Sequence, residues 1–234
     1  MVSWHFFEFM DEGWVPQSLR RTLRDNLEVA NNWPFRFYYQ FVTRLIRDVC
    51  NTESIIEVIE LGAGNAPLTR NLVTNLQNSR LQFVPTDLNP DIEYYTQLQK
   101  SFPAQVKPHL DSVDFSKNHS WPPQSLLVLS TTFHHLPSEI RRKVLKNILS
   151  GKQPVIISES IRHNFASFFG CLCFGWQLAL ITPLFMLKRP GTLRRIFWCW
   201  LLPLAPLCFT WDGIISVVRC WSEKTWRQEI SAIA

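Results

Sequence analysis

The sequence predicts an α/β fold in which helices flank a parallel sheet, and three observations support this prediction. Short apolar runs rich in β-branched residues alternate with amphipathic helical patterns between residues 54 and 160. A glycine-containing turn directly follows the first of these runs. The length of 234 residues allows one such domain with a sizeable core. Alternating strands and helices favour a parallel sheet with right-handed crossovers.

The predicted elements begin with a helical N-terminal region. Leu19, Leu23 and Leu27 recur every four residues, and the aromatic stretch FRFYYQFVTRLIRDV continues the helical pattern. Five strands are predicted after residue 50, in the runs SIIEVIEL, LQFVPTDL, QVKPHLDSV, SLLVLSTTF and PVIISES. The predicted helices between them are APLTRNLVTNLQN, which has Pro67 at its first position, NPDIEYYTQLQKSF, which has Asn89 as its cap, and PSEIRRKVLKNILSG.

Composition divides the chain into three predicted segments. Residues 1–50 form a helical N-terminal cap, residues 51–160 form the α/β core, and residues 161–234 form an apolar segment that ends in a helix. Residues 164–187 and 196–211 of the last segment contain no charged side chain, and the basic link KRPGTLRR lies between them. This segment is therefore the strongest candidate for a contact with a membrane.

Three interpretations of the apolar segment stay open. The first charge-free run is long enough to span a bilayer, but the second is short and contains two prolines. A spanning hairpin would place the basic link across the membrane from a cytoplasmic core, against the positive-inside tendency. An insertion at the membrane interface would bury Trp, Phe and Leu in lipid and bring Lys and Arg to anionic head groups. A lid packed over the sheet needs no membrane.

Charge and cysteine content narrow the expected environment. The net charge of +5 is modest, and without a basic and aromatic RNA-binding motif we expect no nucleic-acid partner. The N-terminus lacks the basic region of a signal peptide. None of the six cysteines belongs to a CxxC pair, so we expect free thiols, a reducing compartment and no metal site. These features predict a cytoplasmic protein that is peripheral at the membrane.

The stretch VIELGAGNAPLTRNL, residues 58–72, carries the strongest functional signal. Ligands of parallel α/β sheets bind beyond the carboxyl ends of the strands, where glycines allow the backbone to approach closely. Glu60 precedes Gly62 and Gly64, and Pro67 stands where the dinucleotide fingerprint requires a third glycine. A carboxylate at this place suits a cationic amino group better than a pyrophosphate. The sequence therefore disfavours a nicotinamide-dependent enzyme.

These residues resemble motif I of the class I S-adenosylmethionine-dependent methyltransferases. The resemblance covers roughly residues 54 to 160, with Ala66 at the third motif glycine, and extends loosely to WDGIISVVRCWSEKTW, as in bacterial members with an apolar insert. It implies a Rossmann-like sheet with strand order 3-2-1-4-5. The β6/β7 hairpin of that fold is apparently missing, so we expect the fifth strand to be an edge that the insert, a membrane or a protein partner covers.

The resemblance also implies the cofactor S-adenosylmethionine and the residues that bind it. The acid at the end of the second strand, Asp87, would bind the ribose hydroxyls. The acid after the third strand, Asp114, would contact the adenine amine, and Asp111 is the alternative residue for this contact. Glu60 has the alternative role of accepting hydrogen bonds from amides of its own turn. The cofactor-binding residues implied are Glu60, Gly62, Ala63, Gly64, Asn65, Asp87, Leu88, Asp114, Phe115 and Thr131.

The candidate catalytic residues are His134 and His135, because histidine titrates near neutral pH. The alternative is that they only pack against the cofactor. Glu159 and Asp212 are assigned to shaping the pocket. The predicted function is methyl transfer to a hydrophobic small molecule or lipid-like acceptor at a membrane surface, through residues 164–211. The alternative is a cofactor-binding or assembly protein with little or no turnover.

Overall fold

The computed structural model describes residues 7–33, 35–76, 80–117 and 119–233, which belong to two compact units. Met1–Arg36 and Ile161–Ser222 form one, here called the helical unit. Phe37–Ser160 and Glu223–Ala234 form the other, here called the sheet unit. This division places nearly all of the second helix with the sheet, whereas composition had assigned it to the N-terminal segment.

Four parallel strands form the centre of the sheet unit, in the order β2-β1-β3-β4. The predicted α/β class with a parallel sheet is thereby confirmed. In this arrangement, the carboxyl ends of all strands lie along one edge of the sheet. The elements are α2 (Arg36–Thr52), β1 (Glu57–Leu61), α3 (Pro67–Asn75), β2 (Gln82–Thr86), α4 (Ile92–Ser101), β3 (Ser125–Ser130), α5 (Ser138–Leu149), β4 (Val155–Ser158) and α9 (Glu223–Ser231).

The strands form where the sequence is apolar on both faces. All six residues of β3 are buried, and Val58 and Ile59 of β1 lie opposite Leu126 and Leu127 of β3. Continuous apolar runs of this kind are typical of parallel strands that helices cover on both faces. Pro67 begins α3 as predicted. The cap of α4 differs from the prediction, because Asp91, and not Asn89, accepts a hydrogen bond of 3.1 Å from the amide of Tyr94.

The predicted third strand is wrong, since residues 105–113 form only one isolated parallel bridge, between Phe83 and Val106. The amide of Lys107 donates to the carbonyl of Phe83 at 3.0 Å, and that of His109 donates to the carbonyl of Pro85 at 3.1 Å. Pro85 has no N–H to return a hydrogen bond, so the ladder is interrupted. The observed strand order is therefore the predicted order 3-2-1-4-5 without its strand 3.

The sheet ends at β4 on one side, and no strand follows β4 in the described part of the chain. The final helix, α9, packs within the same unit. The guanidinium of Arg142 on α5 contacts the carboxylate of Glu229 at 2.6 Å, and the ring of Trp226 lies 4.8 Å from that of Phe133. These contacts anchor α9 beside α5 and the turn that follows β3.

The helical unit contains an N-terminal helix and the predicted apolar segment. Its elements are α1 (Gln17–Asn32), α6 (Phe165–Phe185), α7 (Thr192–Ile196), a π-helical turn (Phe197–Leu201) and α8 (Leu204–Arg219). Leu19 and Leu23 of α1 pack with Cys199 and Cys208 in its core. By length and composition alone, α6 could cross a membrane. A second candidate span exists only if α7, the π-helical turn and α8 are counted as one helix with a bend of 80°.

Candidate functional site

The turn between β1 and α3 lies at the carboxyl edge of the sheet and needs its glycines for two reasons. Gly62 and Gly64 have φ angles of +68° and +53°, which side chains rarely adopt. A Cβ atom on Gly62 would also lie 2.3 Å from Cγ2 of Thr132. In contrast, a Cβ atom on Gly64 would meet nothing within 4 Å. The turn therefore packs tightly on one side and is open at Gly64.

Glu60 is buried beneath this turn, with 3% of its surface exposed. Its Oε2 atom accepts hydrogen bonds from the amide of Thr69 at 3.0 Å and from the Thr69 hydroxyl at 2.6 Å. The amide that Glu60 satisfies belongs to α3, and not to the turn as the alternative role had it. Burial raises the pKa of Glu60 to about 7, against the lowering effect of the Thr69 hydrogen bonds. No cation pairs with this carboxylate among the described residues.

Asp87 follows β2 and connects directly to the glycine turn. Its Oδ2 atom accepts a hydrogen bond of 2.8 Å from the amide of Gly64, and its Oδ1 atom accepts one of 2.8 Å from the amide of Asn89. Each carboxylate oxygen can accept more than one hydrogen bond, so both stay able to bind a ligand. Leu88, the next predicted site residue, is exposed.

Asp114 and Phe115 lie in the segment that replaces the predicted third strand. The Oδ1 atom of Asp114 accepts hydrogen bonds from the Ser116 hydroxyl at 2.5 Å and the Ser116 amide at 3.1 Å, and Oδ2 lies 3.4 Å from Nζ of Lys117. The Ser116 hydroxyl is the main cause of a lowered pKa for Asp114. The Phe115 ring would lie 3.2 Å from a Cβ atom on Gly62, so this segment reaches the glycine turn.

The end of β3 is strained and bonded to the glycine turn. Thr131 has a φ of +52°, an outlier for a β-branched residue. Its amide donates to the carbonyl of Ser158 on β4 at 2.8 Å. The hydroxyl of Thr132 donates to the carbonyl of Gly62 at 2.8 Å. The turns after β1 and β3 therefore form one connected structure.

His134 and His135 occupy a 3₁₀ turn, Phe133–His135, directly after this point. Glu159, which follows β4, lies with Oε2 2.7 Å from Nδ1 of the buried His134 and accepts a hydrogen bond of 3.1 Å from the His134 amide through Oε1. A guanidinium nitrogen of Arg141 donates to the carbonyl of His134 at 2.5 Å. His135 is exposed, with its ring centroid 4.2 Å from that of His134. The fixed imidazole of the pair is therefore that of His134.

Sequence reasoning missed three tyrosines at this edge. The hydroxyl of Tyr38 lies 3.0 Å from Oγ of Ser130 and donates to the carbonyl of Ser158 at 3.1 Å. Tyr39 is buried, and burial raises the pKa of its hydroxyl. The Tyr95 hydroxyl is fully buried, has no partner among the described residues, and has its pKa raised by burial and by carboxylates that include Glu60. Their helical spacing predicted only core packing.

The predicted site residues fall into three groups in the structure. Those after β1, β2 and β3 meet at the carboxyl edge through the hydrogen bonds and contacts described above. Asp111 is exposed, in the segment that leads to Asp114. Asp212 belongs to the helical unit, where its carboxylate accepts hydrogen bonds from the amides of Phe9 at 2.7 Å and Met10 at 3.1 Å. Its carboxylate is occupied by the N-terminal segment.

The arginines of the basic link are paired within the helical unit. Asp25 on α1 contacts both Arg194 and the buried Arg195, the latter at 3.0 Å. Glu28 contacts Arg189 at 2.5 Å. Two carboxylates of α1 therefore face the three arginines. Only 22% of the most apolar window of α6 is buried.

Comparisons with known proteins identify the fold. No family model and no curated protein matches the sequence. The plantazolicin methyltransferase BpumL, solved in complex with SAH, is 10% identical and matches 92% of this chain and 69% of its own, with a TM-score of 0.53. This match shows that the chain has the fold of that methyltransferase.

Two further solved structures resemble the chain less well. An O-methyltransferase family 2 protein from Planctomyces limnophilus, in complex with apigenin, is 12% identical and matches 95% of this chain and 61% of its own, with a TM-score of 0.45. An O-methyltransferase family protein from Burkholderia thailandensis is 12% identical and matches 51% of this chain, with a TM-score of 0.36. The chain covers 39% of that protein's length.

Proposed function

We propose that the protein is an S-adenosylmethionine-dependent methyltransferase whose cofactor binds at the carboxyl edge of the sheet unit. The observation that carries this proposal is the hydrogen bond between Asp87 and the glycine turn, together with the buried carboxylate of Glu60 that precedes the turn, in a fold shared with a methyltransferase solved with SAH. Ligands of open parallel sheets bind at this edge. The low sequence identity makes the site geometry the main support.

The residues at this edge fit a ligand that is cationic at one end and has neighbouring hydroxyl groups in its middle. Glu60 is a buried carboxylate, and its burial raises its pKa. The buried Tyr95 hydroxyl near it has no partner among the described residues. Asp87 presents two oxygens beside the open space at Gly64. S-adenosylmethionine has a cationic amino-acid end and a ribose diol, and so satisfies these groups.

Each residue has a role that follows from its chemistry. Asp87 accepts hydrogen bonds from the ribose hydroxyls, while Glu60 provides negative charge toward the amino group. Asp114 accepts from the adenine amine, and Phe115 offers an apolar surface to the base. The bound cofactor supplies a methyl group already activated on a sulfonium. The protein must therefore mainly align the acceptor and exclude water.

His134 is the proposed general base. With Nδ1 held by Glu159, the neutral imidazole has its basic lone pair on Nε2, which takes a proton from the acceptor. His135 covers the open side of this ring. An acceptor that must lose a proton, such as a hydroxyl group, is therefore favoured over one that needs no base.

A hydrophobic or lipid-like acceptor at a membrane surface forms part of the proposal. Support comes from the exposed aromatic side chains on α6, including Phe165, Phe169 and Phe174. Large exposed apolar surfaces mark interaction sites, and a lipid surface buries them without a specific partner. Because the arginines of the basic link are paired internally, this contact depends mainly on apolar burial. A lid over the acceptor site is compatible with such a contact.

Methyl transfer from labelled S-adenosylmethionine to extracted membrane lipids and to hydrophobic phenols or alcohols tests the proposal. We expect label in an organic-soluble product with the wild-type chain and at least a hundredfold less with His134→Ala. If the wild-type chain binds the cofactor but transfers no more label than the His134→Ala variant, the proposed activity is contradicted.

A second candidate function is a binding or assembly protein with little or no turnover. The position of β4 at the edge of the sheet favours it, since a protein partner that adds a strand would cover this edge. The two functions differ in the transfer experiment. The assembly protein binds the cofactor without product formation, whereas the enzyme forms product and depends on His134.

A further inference from the structure

Helix α2 is hydrogen-bonded to the carboxyl ends of β3 and β4 through Tyr38. The Tyr38 hydroxyl lies 3.0 Å from Oγ of Ser130, the last residue of β3, and donates to the carbonyl of Ser158, the last residue of β4, at 3.1 Å. Burial raises the pKa of Tyr38 to about 12, so the hydroxyl keeps the proton that it donates. One side chain of α2 therefore joins two neighbouring strands at the edge where the proposed site lies.

The Ser158 carbonyl accepts a second hydrogen bond, from the turn that follows β3. The amide of Thr131 donates to it at 2.8 Å, and Thr131 has the strained φ of +52°. A carbonyl oxygen has two lone pairs and can accept both bonds. Strained backbone persists only where the surrounding contacts over-determine it. Tyr38 and Thr131 therefore fix the position of Ser158 together, and the end of β4 is held against the end of β3.

Glu159 follows Ser158 directly, so the position of Ser158 decides where the Glu159 carboxylate lies. That carboxylate lies 2.7 Å from Nδ1 of His134 and accepts a hydrogen bond of 3.1 Å from the His134 amide. The side chains of His134 and Glu159 are only 5% and 12% exposed, so water does not readily replace either partner. The contacts form a continuous path from the Tyr38 hydroxyl through Ser158 and Glu159 to the imidazole.

We propose that Tyr38 is a positioning residue for His134. Its hydroxyl acts through Ser158 and not on the imidazole itself. It holds the Ser158 carbonyl, so that Glu159 keeps Nδ1 of His134 in place and leaves Nε2 free to take a proton from the acceptor. The proposal rests on the proposed function. It adds a residue of α2, which precedes the segment that carries the sequence resemblance, to the determinants of proton transfer.

The tautomer of His134 tests this role without a turnover assay. Nitrogen NMR of the full chain at high pH, where the imidazole is neutral, distinguishes a proton on Nδ1 from a proton on Nε2. A His134→Gln variant identifies the signals of this ring. We expect the wild-type imidazole to carry its proton on Nδ1. Tyr38→Phe should lower the ratio of this tautomer to the other by about fivefold, as the loss of one hydrogen bond does.

The rate of label transfer measures the consequence for catalysis. The assay uses saturating labelled S-adenosylmethionine and the membrane lipids, phenols and alcohols of the transfer experiment above. We expect Tyr38→Phe to slow the transfer by about five- to tenfold, because the base is held less well. The dissociation constant for S-adenosylhomocysteine, measured by calorimetry, should stay within about twofold of the wild-type value, since His134 acts on the acceptor.

Thr43→Val is the matched control, because it removes another hydroxyl hydrogen bond of α2 and keeps the shape of the side chain. The hydroxyl of the buried Thr43 donates to Oδ1 of Asn71 on α3 at 2.8 Å. This variant should lower the thermal midpoint of the chain about as much as Tyr38→Phe does. It should leave the His134 tautomer and the transfer rate unchanged, because its hydrogen bond does not lead to Ser158.

Two results would overturn the inference. One is a Tyr38→Phe variant that keeps the wild-type tautomer ratio or the wild-type transfer rate. The other is a Thr43→Val variant that changes both as much as Tyr38→Phe does, which would assign the effect to a general loosening of α2. A wild-type chain that transfers no label contradicts the proposed function itself. The tautomer ratio then still decides whether Tyr38 positions His134, so the two failures are distinguishable.

Discussion

The amide of Gly64 donates a hydrogen bond of 2.8 Å to Oδ2 of Asp87, which joins the glycine turn after β1 to the acid that follows β2. This single contact brings together two sequence segments that are 23 residues apart. It places the Asp87 carboxylate beside the open space at Gly64, where a ligand that packs against the glycines could form a hydrogen bond with it. The proposed binding site is therefore built from two segments that this hydrogen bond joins.

Asp87→Asn tests the role of this carboxylate directly. The amide side chain keeps an oxygen for the Gly64 amide but loses the second acceptor for a ribose diol. We expect the dissociation constant for S-adenosylhomocysteine to rise by about 10- to 100-fold, as for a lost charged hydrogen bond. Asp111→Asn is the matched control, since Asp111 is an exposed acid of the same region. Equal effects of both variants would point to general electrostatics and not to a specific contact.

The pH dependence of cofactor affinity tests Glu60. Burial raises the pKa of this carboxylate to about 7, and a bound ammonium group would lower it again. Protonation of the ligand-free protein then competes with binding below pH 7. We expect the dissociation constant for S-adenosylhomocysteine to rise about tenfold from pH 8 to pH 6. Glu60→Gln should bind more weakly at pH 8 and lack this dependence, and a pH dependence that survives in the variant would exclude Glu60 as its source.

Ionisation of Glu60 should lower the free energy of unfolding of the ligand-free protein at high pH. A carboxyl group whose pKa is raised on folding binds protons more tightly in the folded state. Stability is therefore lost as the pH rises from about 4.5 to 7. Glu60→Gln keeps an oxygen for the Thr69 bonds and does not ionise. Its free energy of unfolding relative to wild type should increase by about 2–3 kcal/mol between pH 4.5 and pH 8, by urea unfolding. If the free energy of unfolding has the same pH dependence in both proteins, ionisation of Glu60 does not destabilise the fold.

Glu159→Gln tests whether Glu159 acts through His134. Glutamine keeps the shape of the side chain and an oxygen that can accept a hydrogen bond from Nδ1, but it removes the negative charge that faces the imidazole. We expect kcat to fall by about 10- to 100-fold while affinity for S-adenosylhomocysteine is unchanged. A loss of affinity for S-adenosylhomocysteine without a fall in kcat would make Glu159 a structural residue only.

Vesicle binding tests the surface of α6. Because Arg189, Arg194 and Arg195 are paired with acids of α1, we expect the chain to bind phosphatidylcholine vesicles and anionic vesicles with similar affinity, with little dependence on salt. Replacing Phe165 and Phe169 with Gln should weaken binding to both by at least about tenfold, from the lost apolar burial.

Phe37→Gln provides the control for this experiment. Phe37 is as exposed as Phe165, at 77% against 78%, but lies on α2 in the sheet unit. The variant should bind vesicles as the wild type does. Binding that requires anionic lipid and disappears at high salt would show that charge, and not apolar burial, drives the contact. Binding that falls equally with Phe37→Gln would show that α6 is not the contact surface.

The sequence predicted the features that depend on local pattern. The alternation of apolar runs and helical patterns was sufficient to predict the parallel sheet. The position of Pro67 was sufficient to predict where α3 begins. The third predicted strand failed for a non-local reason. Its pattern is acceptable by itself, but the hydrogen bond it needs would come from Pro85 on the neighbouring strand, and only the register of the fold shows that Pro85 is the missing donor.

The candidate site was predictable only in outline. The residue types and spacing around Gly62 indicated the turn, but no spacing shows that Glu60 bonds to Thr69 or that Tyr38 reaches Ser130. The pairing of Arg195 with Asp25 joins residues 170 positions apart, so the basic link looked free in the sequence. Such contacts depend on rotamers and on packing between distant segments, which periodicity does not encode.

Calorimetric titration of the full-length chain with S-adenosylhomocysteine tests the central claim most directly. Saturable binding with one site per chain, weakened by Asp87→Asn and unaffected by Asp111→Asn, is the result that the proposed function predicts. NAD should produce no heat of binding in the same experiment. A wild-type chain that gives no heat with S-adenosylhomocysteine or S-adenosylmethionine, while retaining a cooperative unfolding transition, would contradict the claim.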